Sequence, residues 1–186
     1  MGLSPHGHAQ ADALARWLAD TPLDAIYASP MQRVQATMAP SLIGRGVAPV
    51  ILPDLRETDF GQWTGLTWAE VKERFGVNAF DWLEVLERGE LPGGETGDAV
   101  LTRLQPCIAR ILDENPHRRA AVFCHGGIIR CILSLLLELP LSKMAHFRVE
   151  YGSVTVVELQ PEKKHGVELE LLNFSPMGSK GPSDQR

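Results

Sequence analysis

The residues best placed to do chemistry lie in Ala120–Leu137, AAVFCHGGIIRCILSLLL. Ala120 to Cys124 is a short apolar run of the kind that forms a buried strand. His125-Gly126-Gly127 then turns the backbone, and Ile128 to Leu137 is long and apolar enough for a largely buried helix. A strand that ends in a Gly-rich turn and opens a helix aims free backbone N–H groups and a positive dipole end at one spot. An anion suits that spot, a phosphate above all. His125 stands at the carboxyl end of the strand, where open α/β sheets place their chemistry. Every βα unit has such a turn, so for this stretch alone a plain polar rim is an equal reading.

Three other stretches fall where strands end. Ser29-Pro-Met-Gln-Arg33 sets Arg33 in the first turn of a helix, where it could fork two hydrogen bonds to a phosphate. In Arg56-Glu57-Thr58-Asp59 a carboxylate could serve as general acid for a leaving alkoxide. Gly93-Gly94-Glu95-Thr96 reads as a link that caps the next helix. Taken singly, a solvated arginine, a loop salt bridge and a flexible connection are the simpler accounts. Arg130 completes the set, with a structural role as good as a functional one.

The elements that carry these residues alternate. Ala13, Leu14, Trp17 and Leu18 predict an amphipathic helix over Ala9 to Ala19, after a loop over residues 1–7. Asp24 to Ala28 reads as a strand, with Ser29-Pro30 as N-cap and first helical residue of a helix from Met31 towards Ile43, kinked at Pro40. Pro49 to Leu52 is a second strand, and Asp54 to Leu66 a polar loop with an exposed Phe60/Trp63 pair. Thr67 and Glu70 form a capping box for a helix over Trp68–Phe75. Asn78 to Glu87 and Asp98 to Asn115 read as further helices. Phe147–Tyr151, Val154–Leu159 and Val167–Leu172 read as strands, the last two a hairpin around Glu162–His165. The order predicts one α/β domain over 1–174, a sandwich with a mostly parallel sheet between helices, and a disordered tail over 175–186.

Composition narrows the partners. The chain has 186 residues, a net charge of −5 and no dense Lys/Arg run, which gives nucleic acid and membrane surfaces no support. Ile128–Leu137 is broken by Glu138 and Pro140 before it reaches membrane-spanning length. MGLSPHGHAQ lacks the basic and apolar regions of a signal peptide. Cys107, Cys124 and Cys131 lie in apolar surroundings without metal-type spacing, so reduced thiols and a cytoplasmic location are expected. No metal or cofactor is called for, and a homodimer is left open.

Together the stretches resemble the histidine phosphatase (phosphoglycerate-mutase-like) superfamily over nearly the whole chain. Leu3-Ser4-x-x-Gly7-x-x-Gln10-Ala11 is similar to L-S/T-x-x-G-x-x-Q-A, and Ser29-Pro30-x-x-Arg33 with Thr37 to S-P-x-x-R-x-x-x-T. Leu55-Arg-Glu57-x-x-Phe60-Gly61-x-Trp63-x-Gly65 is similar to L-x-E-x-x-F-G-x-W-x-G. Gly94-Glu95-Thr96 resembles G-E-S/T, and His125-Gly126-Gly127 the second-histidine motif. The resemblance implies a three-layer α/β/α sandwich and metal-free hydrolysis of a small phosphorylated metabolite through a phosphohistidine. It implies that Arg33 binds the phosphoryl group, with backbone N–H groups of Gly126 and Gly127. It also implies that Glu57 protonates the leaving oxygen and that a charged His125 donates to a phosphoryl oxygen. Mutase chemistry is the less favoured branch. Substrate choice would fall to residues 62–97, where Trp63, Trp68, Phe75, Phe80 and Trp82 either roof a pocket or pack a helical cap.

One departure matters. The family's nucleophile lies in an R-H-G motif on a strand ahead of the L-S/T-x-x-G element, and Met1 to Pro5 leaves no room for that strand. His6 is therefore expected to be an exposed loop residue. The expectation is a sequence short at its amino terminus, with a non-catalytic phospholigand-binding relative as the alternative. Loss of that strand would expose ladders and apolar surface. Cys124-x-x-Gly127-x-x-Arg130 also fits the phosphate loop of cysteine-dependent phosphatases, a distant rival.

Overall fold

A computed structural model describes residues 2–160 and 166–178. Its elements alternate as the sequence implies: α1 Pro5–Leu18, β1 Ala25–Ala28, α2 Gln32–Met38, β2 Val50–Ile51, α3 Trp68–Phe75, α4 Trp82–Glu87, α5 Gly97–Glu114, β3 Ala120–Phe123 and α6 Gly126–Leu137, then β4 Val154–Leu159 and β5 Val167–Phe174. β1 lies between β2 and β3, parallel to both, with Tyr27 opposite Val50 and Val122. Strand alternation sends Tyr27 into one core and Ile26 and Ala28 into another. The Tyr27 core takes Leu104 and Ile108 of α5 with Ile128 and Cys131 of α6, and the opposite core takes Val34 and Met38 of α2. A parallel sheet flanked by helices results.

The sheet comes in two pieces. β4 and β5 pair antiparallel as a separate sheet, and among the described residues no strand joins them to β3. β3 is consequently an edge, with one row of N–H and C=O groups outside the ladder. All four of its residues are half-buried, whereas Ile26, Tyr27 and Ala28 of β1 are buried.

Several expectations need correction. Phe147–Tyr151 alternates like a strand but follows the 3-10 turn Leu141–His146 outside both sheets, since a strand needs a neighbour to pair with. α1 starts at Pro5, where Ser4 Oγ accepts from Gly7 N at 3.1 Å, so residues 5–7 are helical and exposed His6 belongs to the first turn. Gln10 Nε2 then donates to Tyr151 O at 2.7 Å. α2 is capped by Met31 and passes at Ala39–Leu42 into a 3-10 turn containing Pro40. The helix expected from Asn78 is confined to Trp82–Glu87. Ser175 to Gly178 form a turn closed by Gly178 N donating to Ser175 O at 3.0 Å. The Glu162–His165 turn and residues 179–186 lie outside the described residues. No helix among those described is long and apolar enough to cross a membrane.

Candidate active site

β3 ends at Phe123, two residues before His125, which serves as N-cap of α6 and is 5% exposed. Its ring is held at both nitrogens. Arg33 Nη2 lies 2.9 Å from Nδ1 and Ser29 Oγ lies 2.8 Å from Nε2. A guanidinium can only donate, so Nδ1 accepts and Nε2 carries the proton, which it gives to Ser29 Oγ. Ser29 Oγ also accepts from Met31 N at 3.3 Å. Burial first, then the Arg33 and Arg103 cations, lowers the His125 pKa to about 4. The expected imidazolium is thus a neutral imidazole here, and the positive charge belongs to Arg33. An arriving phosphoryl anion pulls the pKa back up by opposite-charge attraction.

This shift makes stability depend on pH. The folded pKa of about 4 lies below the ordinary 6.5. The contribution of neutral His125 is whole above 6.5 and is lost as pH falls through 4. Urea unfolding from neutral pH down to pH 4 should show roughly 3 kcal/mol more loss in the parent protein than in His125→Asn. Equal losses in the two proteins would contradict the depressed pKa.

Glu57 reaches the same place from the loop after β2. Its Oε1 accepts from Thr58 N at 3.0 Å. A Cβ on Gly127 would stand 2.5 Å from Oε1 and 3.3 Å from Trp82 Cη2, so only glycine lets this carboxyl come up to the first turn of α6. Burial raises the Glu57 pKa and outweighs the Thr58 and Gly127 N–H groups and the Arg33 cation, which pull it down. A half-buried carboxyl that holds its proton better than usual suits a general acid. Gly126 is under no such constraint. A Cβ there would make ordinary contacts with Arg130 Nη1 at 3.5 Å and Val149 Cγ1 at 3.9 Å.

Arg33, Glu57, His125, Gly126 and Gly127 are therefore brought together, though they come from three separate stretches of chain. Arg130 adjoins them with Nη1 donating to Gly126 O at 3.0 Å. The cysteine reading fails on this geometry. Burial, with the Glu57 charge second, pushes the Cys124 thiol up to about 12, so it is no thiolate near neutrality. Arg130 is turned onto its own helix.

Two side chains with work at the site escaped sequence reasoning. Ser29, read as a helix cap, is fully buried and orients His125. Arg103, on the helix read from Asp98 to Asn115, donates Nε to Glu95 Oε1 at 2.8 Å and Nη2 to Glu95 Oε2 at 3.0 Å. The motif Glu95 was the available signal for it. The aromatic residues act mainly as packing. Trp63 and Trp82 are buried, with Phe60 5.2 Å from Trp82 and Phe75 5.9 Å from Trp63, so the expected exposed Phe60/Trp63 pair is not found. Exposed Phe80 lies against His146.

The profile of the histidine phosphatase superfamily (branch 1) matches residues 1–172. The chain belongs to the histidine phosphatase superfamily. It is 28% identical to phosphoserine phosphatase 1 of Hydrogenobacter thermophilus over 161 residues, covering 87% of this chain and 76% of that protein. With the adenosylcobalamin/alpha-ribazole phosphatase of Salmonella typhimurium it shares 26% over 157 residues, 84% of this chain and 78% of the relative. The native structure of a mycobacterial glucosyl-3-phosphoglycerate phosphatase superposes with a TM-score of 0.82 at 25% identity, covering 94% of this chain and 89% of the other. These similar proteins are phosphatases by name, and their fold is the one described above.

Proposed function

We propose that the protein hydrolyses a small phosphomonoester through a phosphohistidine intermediate. The observation that carries this reading is Arg33 joined to His125 at 2.9 Å with the Glu57 carboxyl packed on Gly127 beside them. A guanidinium offers five donors, only one of which is needed to hold His125. In the first step a nucleophilic imidazole nitrogen bonds to phosphorus as the ester P–O bond breaks, and the Glu57 proton goes to the leaving oxygen. In the second step Glu57 takes a proton from water, the oxygen bonds to phosphorus, and the P–N bond breaks to free phosphate and the imidazole. Phosphoryl transfer of this kind needs positioning and charge neutralisation above all.

The nucleophile in this reading is a histidine other than His125. Support comes from the role His125 already has. Both of its nitrogens are engaged, by Arg33 and Ser29. Hydrolysis is favoured over mutase transfer because the relatives named above are phosphatases, and the substrate is a small phosphorylated metabolite of the cytoplasm. The same engaged His125 favours a second reading, a phospholigand-binding protein without turnover. Protein isolated from its own source, given a labelled phosphomonoester and quenched, separates the two. An acid-labile phosphoryl group on a histidine other than His125 is the expected result. Phosphate binding with neither label nor hydrolysis would establish the second reading instead.

A further inference from the structure

We propose that Arg103 is a positioning residue for Glu57: with Glu95 it forms a clasp that holds the backbone of residues 54–59 in the one path that presents the Glu57 carboxyl to Gly127. The inference rests on Glu57 being the acid of the site.

The clasp is built from both its sides. Arg103 projects from the second turn of α5, and its side chain is only 10% exposed, with its partner Glu95 at 15%. Besides its paired bonds to Glu95, it donates Nη2 to Glu57 O at 3.4 Å and Nη1 to Asp54 O. Glu95 completes the grip from the other end. Its Oε2 accepts from Asp59 N at 2.9 Å, and its own N–H donates to Asp59 O at 2.9 Å. Arg56 adds Nη2 to Glu95 Oε1 at 3.1 Å. The carbonyls of Asp54 and Glu57 are therefore fixed by the Arg103 side chain, and both main-chain groups of Asp59 by the side chain and backbone of Glu95. Gly61 follows at a φ of +51°, and a Cβ there would run into Pro92 O, Gly93 C and Gly94 N. The two loops are thus pressed together where Gln62 N donates to Pro92 O at 2.9 Å.

A surface loop of this length ordinarily samples several paths. Glu57 can keep a buried carboxyl against Gly127 only while its main chain is held, because water competes for both oxygens once the loop swings out. A planar guanidinium satisfies two carboxylate oxygens and two carbonyls at once, which an ammonium cannot do. The charged groups around Glu57 are Arg33 from α2, Arg103 from α5 and Arg130 from α6, with the Cys124 and Cys131 thiols on the same side. Arg103→Lys leaves that set of charges intact and removes only the fork.

The test is a carbon-13 NMR titration of Glu57 in the full chain, its signal assigned by loss in Glu57→Gln. The parent protein should titrate above the ordinary 4.5. In Arg103→Lys the midpoint should fall by about one pH unit as the carboxyl becomes hydrated. Glu95→Gln, which keeps the residue's size, should move it in the same direction. Midpoints in both variants that coincide with the parent's would overturn the clasp. In active protein, Arg103→Lys should lower kcat for an alkyl phosphate about tenfold while KM and first-turnover release of p-nitrophenolate change little. Equal losses on both substrates would mark a merely structural residue. A parent protein that hydrolyses neither substrate would count against the proposed function and leave the titration to decide the clasp.

Discussion

Glu57→Gln should slow hydrolysis of an alkyl phosphomonoester by about a thousandfold, within the range that a positioned proton donor contributes. The amide keeps the size of the carboxyl, so the contact with Gly127 and the packing against Trp82 survive. What it loses is the proton for the leaving oxygen and the base for water. A phenolate such as p-nitrophenolate leaves without protonation, so its release in the first turnover should slow by less than about tenfold. Paired single-turnover measurements of alcohol and phenolate release read the difference directly. Similar losses on both would mean that Glu57 shapes the site and transfers no proton. Because burial raises the Glu57 pKa, the alkyl ester reaction should also decline on the alkaline side as the acid form is lost.

Arg33→Ala should weaken inorganic phosphate binding by about a hundredfold, the loss of a charge-assisted pair of hydrogen bonds in a partly buried site. The same change removes the second-largest influence that holds His125 near 4, so the histidine pKa should rise towards its ordinary 6.5. Calorimetry gives the affinity and proton NMR of the ring gives the titration. Unchanged phosphate affinity would move the anion site away from Arg33.

How much of this was legible in the sequence depended on distance along the chain. The helix Trp68–Phe75 is found as read because its signal is local: Thr67 Oγ1 caps Glu70 N, and Glu70 Oε2 accepts from Thr67 N at 2.8 Å. The β3–α6 turn was equally plain. Ser-Pro was ambiguous. At Ser4-Pro5 it opens α1, but at Ser29-Pro30 the hydroxyl turns to a histidine 96 residues away, and the helix starts later. Arg33, Glu57 and His125 were legible as a set only through the spacing of several motifs. Nothing local says that Glu57 meets Gly127, or that Arg103 grips a carbonyl 46 residues earlier. Phe147–Tyr151 carries a strand's pattern, and pattern alone cannot supply the neighbour that a strand needs.

The most direct test is hydrolysis of p-nitrophenyl phosphate by protein isolated from its own source, beside its Arg33→Ala variant. The account predicts release of inorganic phosphate by the parent protein and a marked loss of it in the variant. Protein that binds phosphate but releases none from p-nitrophenyl phosphate would contradict it.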